Sequence, residues 1–179
     1  MAVSDEFPRA LSAPAGDLVV IGTAHIQEAA QAARRSPRRR VILPFHKSSD
    51  DTLHRMLNAL EPCSYVQPHR HIAPPKPECL IVLGGALGYV SFAPDGAVYR
   101  CFVVRAGSDA IGIDIQPGIY HTFFALEENT VIFEVKPGPY EPMTDKDFAP
   151  WAPREGDPEA ASYLAKLYDL VDRLEEAQA

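Results

Sequence analysis

The stretch LGYVSFAPDGAVYRCFVV, residues 87–104, is the clearest fold signal in this chain. Two runs rich in β-branched and aromatic residues, 87–92 and 98–104, flank Asp95-Gly96, a dipeptide that favours a tight hairpin turn. They predict two antiparallel strands. Further short strands are predicted on either side of this hairpin, at 41–45, 64–67, 79–83, 110–115, 120–126 and 131–136. Many short strands at this spacing indicate an antiparallel sandwich or barrel.

Proline is unusually frequent, with 17 in 179 residues, against a typical share of ~5%. Because proline breaks helix interiors, this count excludes an all-helical bundle. The 46% of hydrophobic and 23% of charged residues are typical of one folded domain with its own core. The composition therefore agrees with the strand pattern.

The charge and cysteine content restrict the partners and the compartment. A net charge of −7 speaks against a general nucleic-acid binder, which would carry a basic footprint. The one basic run, residues 34–40, is interpreted as a solvated connector, with an anion site as the alternative. No apolar run approaches the ~20 residues of a membrane span. Cys63, Cys79 and Cys101 cannot all pair, and nothing in the sequence points to an oxidising compartment, so we expect a cytoplasmic protein with free thiols.

Helices are predicted at both ends of the chain. A loose arm to residue 16 and a short strand at 17–22 precede a helix over 24–35, which Thr23 caps. Residues 51–60 are predicted to contain a short helical turn. Asp157-Pro158 begins a final helix whose apolar positions recur at helical spacing. The predicted units are an N-terminal arm, strand and helix, a barrel, and a C-terminal helix, at residues 1–40, 41–155 and 156–179.

A metal site is predicted where histidines and a glutamate recur at suitable spacing. His69 and His71 stand two apart, so in a strand they point to the same face. A proline-rich loop then returns the chain to Glu78 at the start of the next strand, and His121 follows the turn at Pro117-Gly118. Imidazoles plus one carboxylate suit a divalent first-row metal and leave coordination positions for a substrate or water.

Further polar residues are candidates for catalysis. Glu134 and Lys136 alternate with apolar residues, so they share one face of a strand. In the interior they would form a charged pair near the metal, whose burial is costly without a function. On the exterior they would be ordinary surface charges. Tyr65 is predicted to line the mouth of the pocket, and Phe148 and Trp151 to pack against the outside of the barrel.

The metal-site pattern resembles the two motifs of the cupin superfamily, in which HxH, a following Glu and a later His bind metal inside a small jelly-roll barrel. Longer stretches between residues 36 and 155 are similar to the WbuC family of cupin-fold metalloproteins. They are SPRRR at 36–40, His46, RMLNAL at 55–60, SY at 64–65, PHRH at 68–71, KPE at 76–78, FEVKPGPY at 133–140 and DKDFAPWAP at 145–153. The resemblance implies a mainly β, cupin-type antiparallel jelly-roll barrel that binds metal, and it favours an interior position for Glu134 or Lys136. The family is often associated with surface-polysaccharide gene clusters.

We expect an enzyme that acts on a small polar substrate, carbohydrate or anionic, such as a sugar or sugar nucleotide in polysaccharide metabolism. One divalent transition metal (Fe, Mn, Zn or Ni) would polarise a carbonyl while Glu134, Lys136 or Tyr65 moves protons, which favours isomerisation or epimerisation. An Fe(II) oxygenase and a non-catalytic metal- or small-molecule-binding cupin are the alternatives. Because the edges of jelly-roll sheets need covering, a homodimer is expected.

Overall fold

The structure, a computed structural model, describes residues 7–178, so the start of the predicted N-terminal arm at 1–6 lies outside the described residues. Within this range, ten strands lie between two helices along the chain. The helices are α1 (Thr23–Arg35) and α2 (Ala160–Gln178). The strands are β1 (Arg40–Pro44), β2 (Leu53–Leu60), β3 (His69–Arg70), β4 (Glu78–Gly84), β5 (Ala86–Phe92), β6 (Val98–Arg105), β7 (Gly112–Ile115), β8 (Tyr120–Ala125), β9 (Thr130–Pro137) and β10 (Asp147–Phe148).

These strands form two five-stranded sheets in which all neighbouring strands are antiparallel. Sheet A has the order β1-β2-β9-β4-β7, and sheet B has the order β10-β3-β8-β5-β6. Leu80 and Ile132 of sheet A pack with Tyr89 and Phe123 of sheet B in one buried cluster, so the inner faces of the two sheets meet. The prediction of a mainly β, cupin-type antiparallel jelly roll with flanking helices is confirmed.

The hairpin at residues 87–104 forms as its sequence predicts. β5 and β6 pair with Tyr89 opposite Phe102, and Gly96 in the turn has a φ of +90°, a conformation that glycine adopts without strain. β5 also pairs with β8 on its other side and is buried along its whole length. The turn chemistry thus fixes the register of a central strand of sheet B.

Helix α1 covers the outer face of sheet A. Its buried side chains are alanines, which let the helix lie close to Val41 and Leu57 of the sheet. Its N-cap is Gly22, without a side-chain cap, rather than the predicted Thr23. The buried alanines are Ala29, Ala30, Ala32 and Ala33.

Helix α2 covers the outer face of sheet B. Leu164, Leu167 and Val171 lie on one stripe of the helix and pack with Val90 and Phe124 of the sheet. The predicted apolar stripe therefore packs against the same chain. Among residues 7–178, no helix is both long and apolar enough to cross a membrane.

The prediction of a helical turn at 51–60 is wrong, because this segment is the strand β2. Alanine, leucine and methionine favour helices in isolation, but β2 pairs with β1 on one side and β9 on the other. Its alternating side chains also suit a strand: Met56 and Asn58 face the cavity between the sheets, whereas Leu57 faces α1. Two neighbouring strands and two packed faces override the local preference.

Two predicted strands are absent from the described residues. Residues 17–22 make no strand pairing, and Leu18 and Val20 are 84% and 79% exposed, because no sheet edge lies beside them. Residues 64–67 belong to no strand; the carbonyl of Val66 instead accepts a hydrogen bond from Thr122 Oγ1. Apolar composition without a partner edge is insufficient for a strand.

Replacing Gly88 by alanine is expected to destabilise the fold by about 1–3 kcal/mol, because it overpacks the core. A Cβ at this position would stand 2.7 Å from Cε2 of Phe124, and that ring is fully buried. Urea unfolding measures the effect. The control is Gly84→Ala, whose Cβ would have its nearest neighbour at 3.7 Å. Equal stability of Gly88→Ala and the wild type would show that Phe124 moves aside without cost.

Candidate metal centre

Three imidazoles and one carboxylate converge between the two sheets. His69 lies in β3, His71 directly after it, Glu78 at the start of β4 and His121 in β8. His69 and His121 are direct partners in sheet B, and Glu78 approaches them from sheet A. All four side chains are buried, and one potential ligand atom from each lies within 4.8 Å of the others. The structure thus brings together the four residues that the sequence predicts as metal ligands.

The backbone fixes which nitrogen of each imidazole faces the cluster. In all three histidines Nδ1 contacts a carbonyl oxygen, which can only accept a hydrogen bond, so Nδ1 carries the proton. Nε2 of the neutral ring then directs a lone pair at the cluster, as a metal ligand requires. The acceptors are Gln67 O at 2.9 Å for His69, Ile119 O at 2.9 Å for His121, and Asp145 O for His71.

The contacts of Glu78 show that these lone pairs fit a cation. Nε2 of His71 lies 3.1 Å from Oε1 of Glu78, and Nε2 of His121 lies 3.0 Å from its Oε2. Among the described residues, His71 Nε2 is buried without a hydrogen-bond partner of good geometry. Lone pairs that face a carboxylate at this distance repel unless a proton or metal ion lies between them.

The ionisation of the ligands favours metal binding as well. Burial alone would raise the pKa of Glu78, but the positive charge of Lys136 lowers it, and the pKa lies well below its ordinary value. Burial lowers the pKa of His69 well below its ordinary value, and Lys146 adds to this effect. An ionised carboxylate and neutral imidazoles are the forms that bind a divalent metal. The residues present therefore fit a divalent transition metal.

Lys136 is buried at the centre of three carboxylates. Its Nζ lies 3.4 Å from Oε1 of Glu78, 3.4 Å from Oε1 of Glu134 and 3.4 Å from Oδ2 of Asp145. Burial alone would lower the pKa of Lys136, but the three carboxylates raise it above its ordinary value. The side chain is therefore a fixed cation. Glu134 and Lys136 both lie in the interior, beside the candidate metal ligands.

Asp145 and Lys76 complete this charged network, and sequence reasoning assigned neither a role. Lys76 Nζ lies 2.8 Å from Oδ1 of Asp145 and donates to Pro139 O at 2.6 Å. Asp145 also accepts from His71 through its backbone oxygen, so it orients one candidate ligand. The only sequence signal was their place in stretches that resemble the WbuC family.

A cavity of about 830 Å³ leads from the cluster to the surface. His69 and Glu78 line its inner end, and Asn58, Glu134 and Lys136 line its wall. Asn58 Nδ2 donates to Oε2 of Glu134 at 3.1 Å, which holds that carboxylate in place. A cavity of this size with several fixed polar groups suits a small polar molecule.

Lys146 is a further cavity residue that sequence reasoning missed. It is half-buried in the cavity wall, and burial together with repulsion from Lys136 lowers its pKa to about 8. Part of the Lys146 population is therefore neutral amine near neutral pH. Among the described residues it makes no hydrogen bond through Nζ, which leaves its lone pair or protons free to meet a ligand.

Tyr65, predicted at the pocket mouth, lies away from the cavity. Its hydroxyl donates to Pro153 O at 2.7 Å, and its ring packs edge-on against Tyr163 of α2, with 6.1 Å between centroids. Burial raises the pKa of Tyr65 above its ordinary value. The structure does not bring this side chain to the candidate metal ligands, whereas the neighbouring Gln67 does line the cavity.

The prediction that Phe148 and Trp151 clamp the outside of the barrel holds for one of them. Trp151 packs against Phe92 at 4.9 Å between centroids and donates to Pro94 O. Phe148 instead lines the cavity, with its ring 6.1 Å from that of His69. The reason is that residues 147–148 form β10, an edge strand beside β3 that the sequence analysis did not predict.

The basic run at 34–40 is divided between solvent and cavity. Arg34 and Arg35 are exposed at the end of α1, as a solvated connector requires. Arg38 and Arg40 line the cavity, and Glu155 pairs with both: its Oε1 is 2.6 Å from Arg38 Nε and its Oε2 is 2.7 Å from Arg40 Nη2. The interpretation of the whole run as a connector is therefore wrong for these two residues.

Replacing Glu155 by glutamine is expected to lower stability at pH 7 by about 1 kcal/mol, because the pair is partly exposed and screened by water. Burial alone would raise the pKa of Glu155, but Arg38 and Arg40 lower it. The pKa of Glu155 is about 4.3 in the unfolded chain, and above this pH the ionised carboxylate stabilises the fold. This stabilisation is lost as the pH falls through the lower pKa that Glu155 has in the folded protein. The difference between variant and wild type should shrink below about pH 4, as urea unfolding across pH can measure. The exposed Glu159→Gln is the matched control; a pH-independent difference would contradict the ion-pair explanation.

Fold and site together define a cupin-type jelly roll with a candidate metal centre. A family model described as a domain of unknown function, DUF6016, matches residues 21–104. No curated protein matches the chain.

Several solved structures are similar at low identity. Oxalate decarboxylase from Bacillus subtilis, described with Mn(II) centres, is 17% identical over 55% of this chain and 24% of its own, with a TM-score of 0.43. KdgF from Halomonas sp. is 15% identical over 58% of this chain and 80% of its own, with a TM-score of 0.42. The capsular polysaccharide assembling protein CapF from Staphylococcus aureus is 18% identical over 59% of this chain and 28% of its own, with a TM-score of 0.46. The match spans about a quarter of the oxalate decarboxylase chain.

Proposed function

We propose that this chain is a metal-dependent enzyme that isomerises or epimerises a small polar substrate such as a sugar or sugar nucleotide. One observation carries the proposal: three imidazoles and an ionised carboxylate bring their ligand atoms within 4.8 Å of one another, and two of these residues, His69 and Glu78, line a cavity of about 830 Å³. The ligands would be His69, His71, Glu78 and His121. A divalent ion held there would supply Lewis-acid polarisation of a substrate oxygen.

The residues beside the ligands have distinct parts in this reaction. Lys136 stays protonated among its carboxylates, so it orients Glu78 and stabilises negative charge that develops on the substrate. Glu134, held by Asn58 and Lys136, is a carboxylate that can accept a proton from a substrate carbon. Lys146, with a pKa of about 8, can return a proton near neutral pH. Tyr65 has no part in this scheme, because its hydroxyl is bonded to Pro153 O.

Exchange of carbon-bound protons with deuterium from the solvent tests this reaction. The test works whichever way the isomerisation runs. Metal-loaded protein is incubated in D₂O with aldoses, ketoses and sugar nucleotides, and deuterium at carbon is followed by NMR. Exchange with one substrate class, lost in Glu134→Gln but retained in the exposed control Glu159→Gln, is the expected result. Metal-loaded protein that exchanges no carbon-bound proton and forms no isomer from any of them would overturn the proposal.

The same ligand set favours a second candidate, an Fe(II) oxygenase. Three imidazoles and one carboxylate leave coordination positions that dioxygen and a substrate can occupy. Dioxygen uptake by Fe(II)-loaded protein, absent with Zn(II), would support this reaction over isomerisation. Metal binding with neither deuterium exchange nor dioxygen uptake would instead support a non-catalytic metal-binding cupin.

The family, the assembly and the compartment are further parts of the proposal. Membership of the WbuC family is supported by the stretches at 36–40, 55–60, 68–71, 76–78, 133–140 and 145–153, each of which contributes at least one residue to the cavity lining. A homodimer is supported by β6, an edge strand of sheet B on which Tyr99 is 65% exposed and Phe102 is 39% exposed. Light scattering should give twice the chain mass, and a monomeric mass would refute the dimer.

The unpaired Cys63, Cys79 and Cys101 support a cytoplasmic location.

A further inference from the structure

We propose that the mouth of the cavity is a phosphate subsite, at which Arg9, Arg38 and Arg154 bind the phosphate of a phosphorylated substrate whose reacting end lies at the metal centre. The inference rests on the proposed function, since it names the class of substrate for the same site. It revises the connector interpretation of the basic run in favour of an anion site.

The arginines reach this mouth from three separate segments of the chain. Arg40 is the first residue of β1, Arg38 precedes it by two residues, and Arg154 lies between β10 and α2. Arg9 belongs to a segment held along β1, where Ile42 N donates to Arg9 O at 3.2 Å and Leu11 N donates to Ile42 O at 2.8 Å. All of them line the cavity that His69 and Glu78 line at its inner end.

The positive charge at the mouth is only partly balanced. Of the four carboxylates that line the cavity, only Glu155 is exposed, and it already pairs with Arg38 and Arg40. The carboxylate of Asp157 lies beside Arg154 and accepts from its backbone N–H at 2.8 Å. Arg40 has little left to offer a ligand, since it also donates to Tyr65 O at 2.7 Å. Arg9 and Arg154 are exposed and have no ion-pair partner within residues 7–178.

This excess of positive charge at the cavity mouth is unusual because the chain as a whole carries a net charge of −7. Like charges gathered at one opening repel each other, and repulsion from Arg38 and Arg9, after burial, helps lower the pKa of Arg40 to about 10. Lys146 adds a further positive charge on the cavity wall when it is protonated. A bound anion would relieve the repulsion and be drawn towards the mouth.

The chemistry of the cluster favours phosphate over a carboxylate. Guanidinium groups present several donors in one plane and bind phosphate oxygens in pairs. A surplus of more than one positive charge suits a dianion better than a monoanion. The cavity of about 830 Å³ is within the range that holds a small phosphorylated molecule.

Titration of inorganic phosphate into metal-loaded protein, followed by calorimetry, tests the subsite. The Arg9→Gln/Arg154→Gln variant should bind phosphate at least roughly tenfold more weakly, because two charged hydrogen-bond donors are lost. The control Arg34→Gln/Arg35→Gln removes the same charge from the exposed part of the basic run and should change affinity by less than about twofold. Arg154→Gln alone should give an intermediate loss. Equal weakening in both double variants, or acetate binding as tightly as phosphate, would overturn the phosphate subsite.

Repeating the titration with the metal-free His69→Ala/His71→Ala variant separates the subsite from the metal centre. Phosphate binding that persists there, and still falls with Arg9→Gln/Arg154→Gln, places the anion at the mouth. Phosphate binding that disappears with the metal would overturn the inference while leaving the proposed function intact. Conversely, a wild-type protein that binds phosphate but takes up no metal would overturn the proposed function and leave the subsite standing.

Discussion

Replacing His69 and His71 by alanine is expected to lower bound metal from about one ion per chain to a level that elemental analysis no longer detects. The change removes two of the four donors that converge within 4.8 Å. The remaining carboxylate and imidazole cannot retain a divalent first-row metal through gel filtration, because such sites need three or four protein ligands. The measurement is metal content after separate loading with Mn(II), Fe(II), Ni(II) and Zn(II).

A matched histidine outside the cluster controls for loss of imidazole in general. His46 lines the same cavity and stacks on His54 at 4.0 Å between centroids, but it is not among the converging ligands. His46→Ala should keep its metal. Metal should also raise the melting temperature of the wild type and of His46→Ala, since binding to the native state alone stabilises it by about 2.7 kcal/mol at 100 times Kd. Retention of metal by the double variant would show that the site lies elsewhere.

The strands with strong local signals were predictable from the sequence. Asp95-Gly96 specifies a turn between two runs of strand-forming residues, and the register of β5 with β6 follows from it. β2 was not predictable from its local preferences, because one of its two pairing partners, β9, lies far away in the chain. β10 has two residues and exists only through its pairing with β3.

The candidate ligands were predictable from local strand alternation, whereas the residues around them are placed by contacts between distant parts of the chain. His69 and His71 share a strand face through the two-residue repeat. Glu78 begins β4 and His121 is the second residue of β8, each after a proline-containing loop. Asp145 and Lys76 meet across loops separated by 69 positions, which no periodicity encodes. Tyr65 precedes His69 by four residues, but its segment is not a strand, so alternation could not place its side chain.

Replacing Lys136 by methionine is expected to destabilise metal-free protein by about 3–5 kcal/mol at pH 7, the cost of leaving buried charges without their partner. Lys136 is 7% exposed and lies 3.4 Å from an oxygen of each of Glu78, Glu134 and Asp145. Methionine fills about the same space as lysine, so the loss of stability reports the removal of the charge rather than a change in side-chain volume. Urea unfolding after chelator treatment gives the value. Lys166→Met, at an exposed position of α2, is the control and should stay within about 0.5 kcal/mol.

The pH dependence shows whether carboxylate repulsion causes the loss. Despite burial, Lys136 holds the pKa of Glu78 and of Asp145 below their ordinary values, so in the wild type their contribution is present above about pH 4. Without the cation these carboxyls take up protons at higher pH, which relieves the repulsion. The gap between Lys136→Met and the wild type should therefore be widest at neutral pH and narrow as the pH falls towards 4. A difference in stability that stays constant with pH would mean that the lysine acts through packing alone. In that case, metal loading, which places positive charge beside Glu78, should also leave the difference between Lys136→Met and the wild type unchanged.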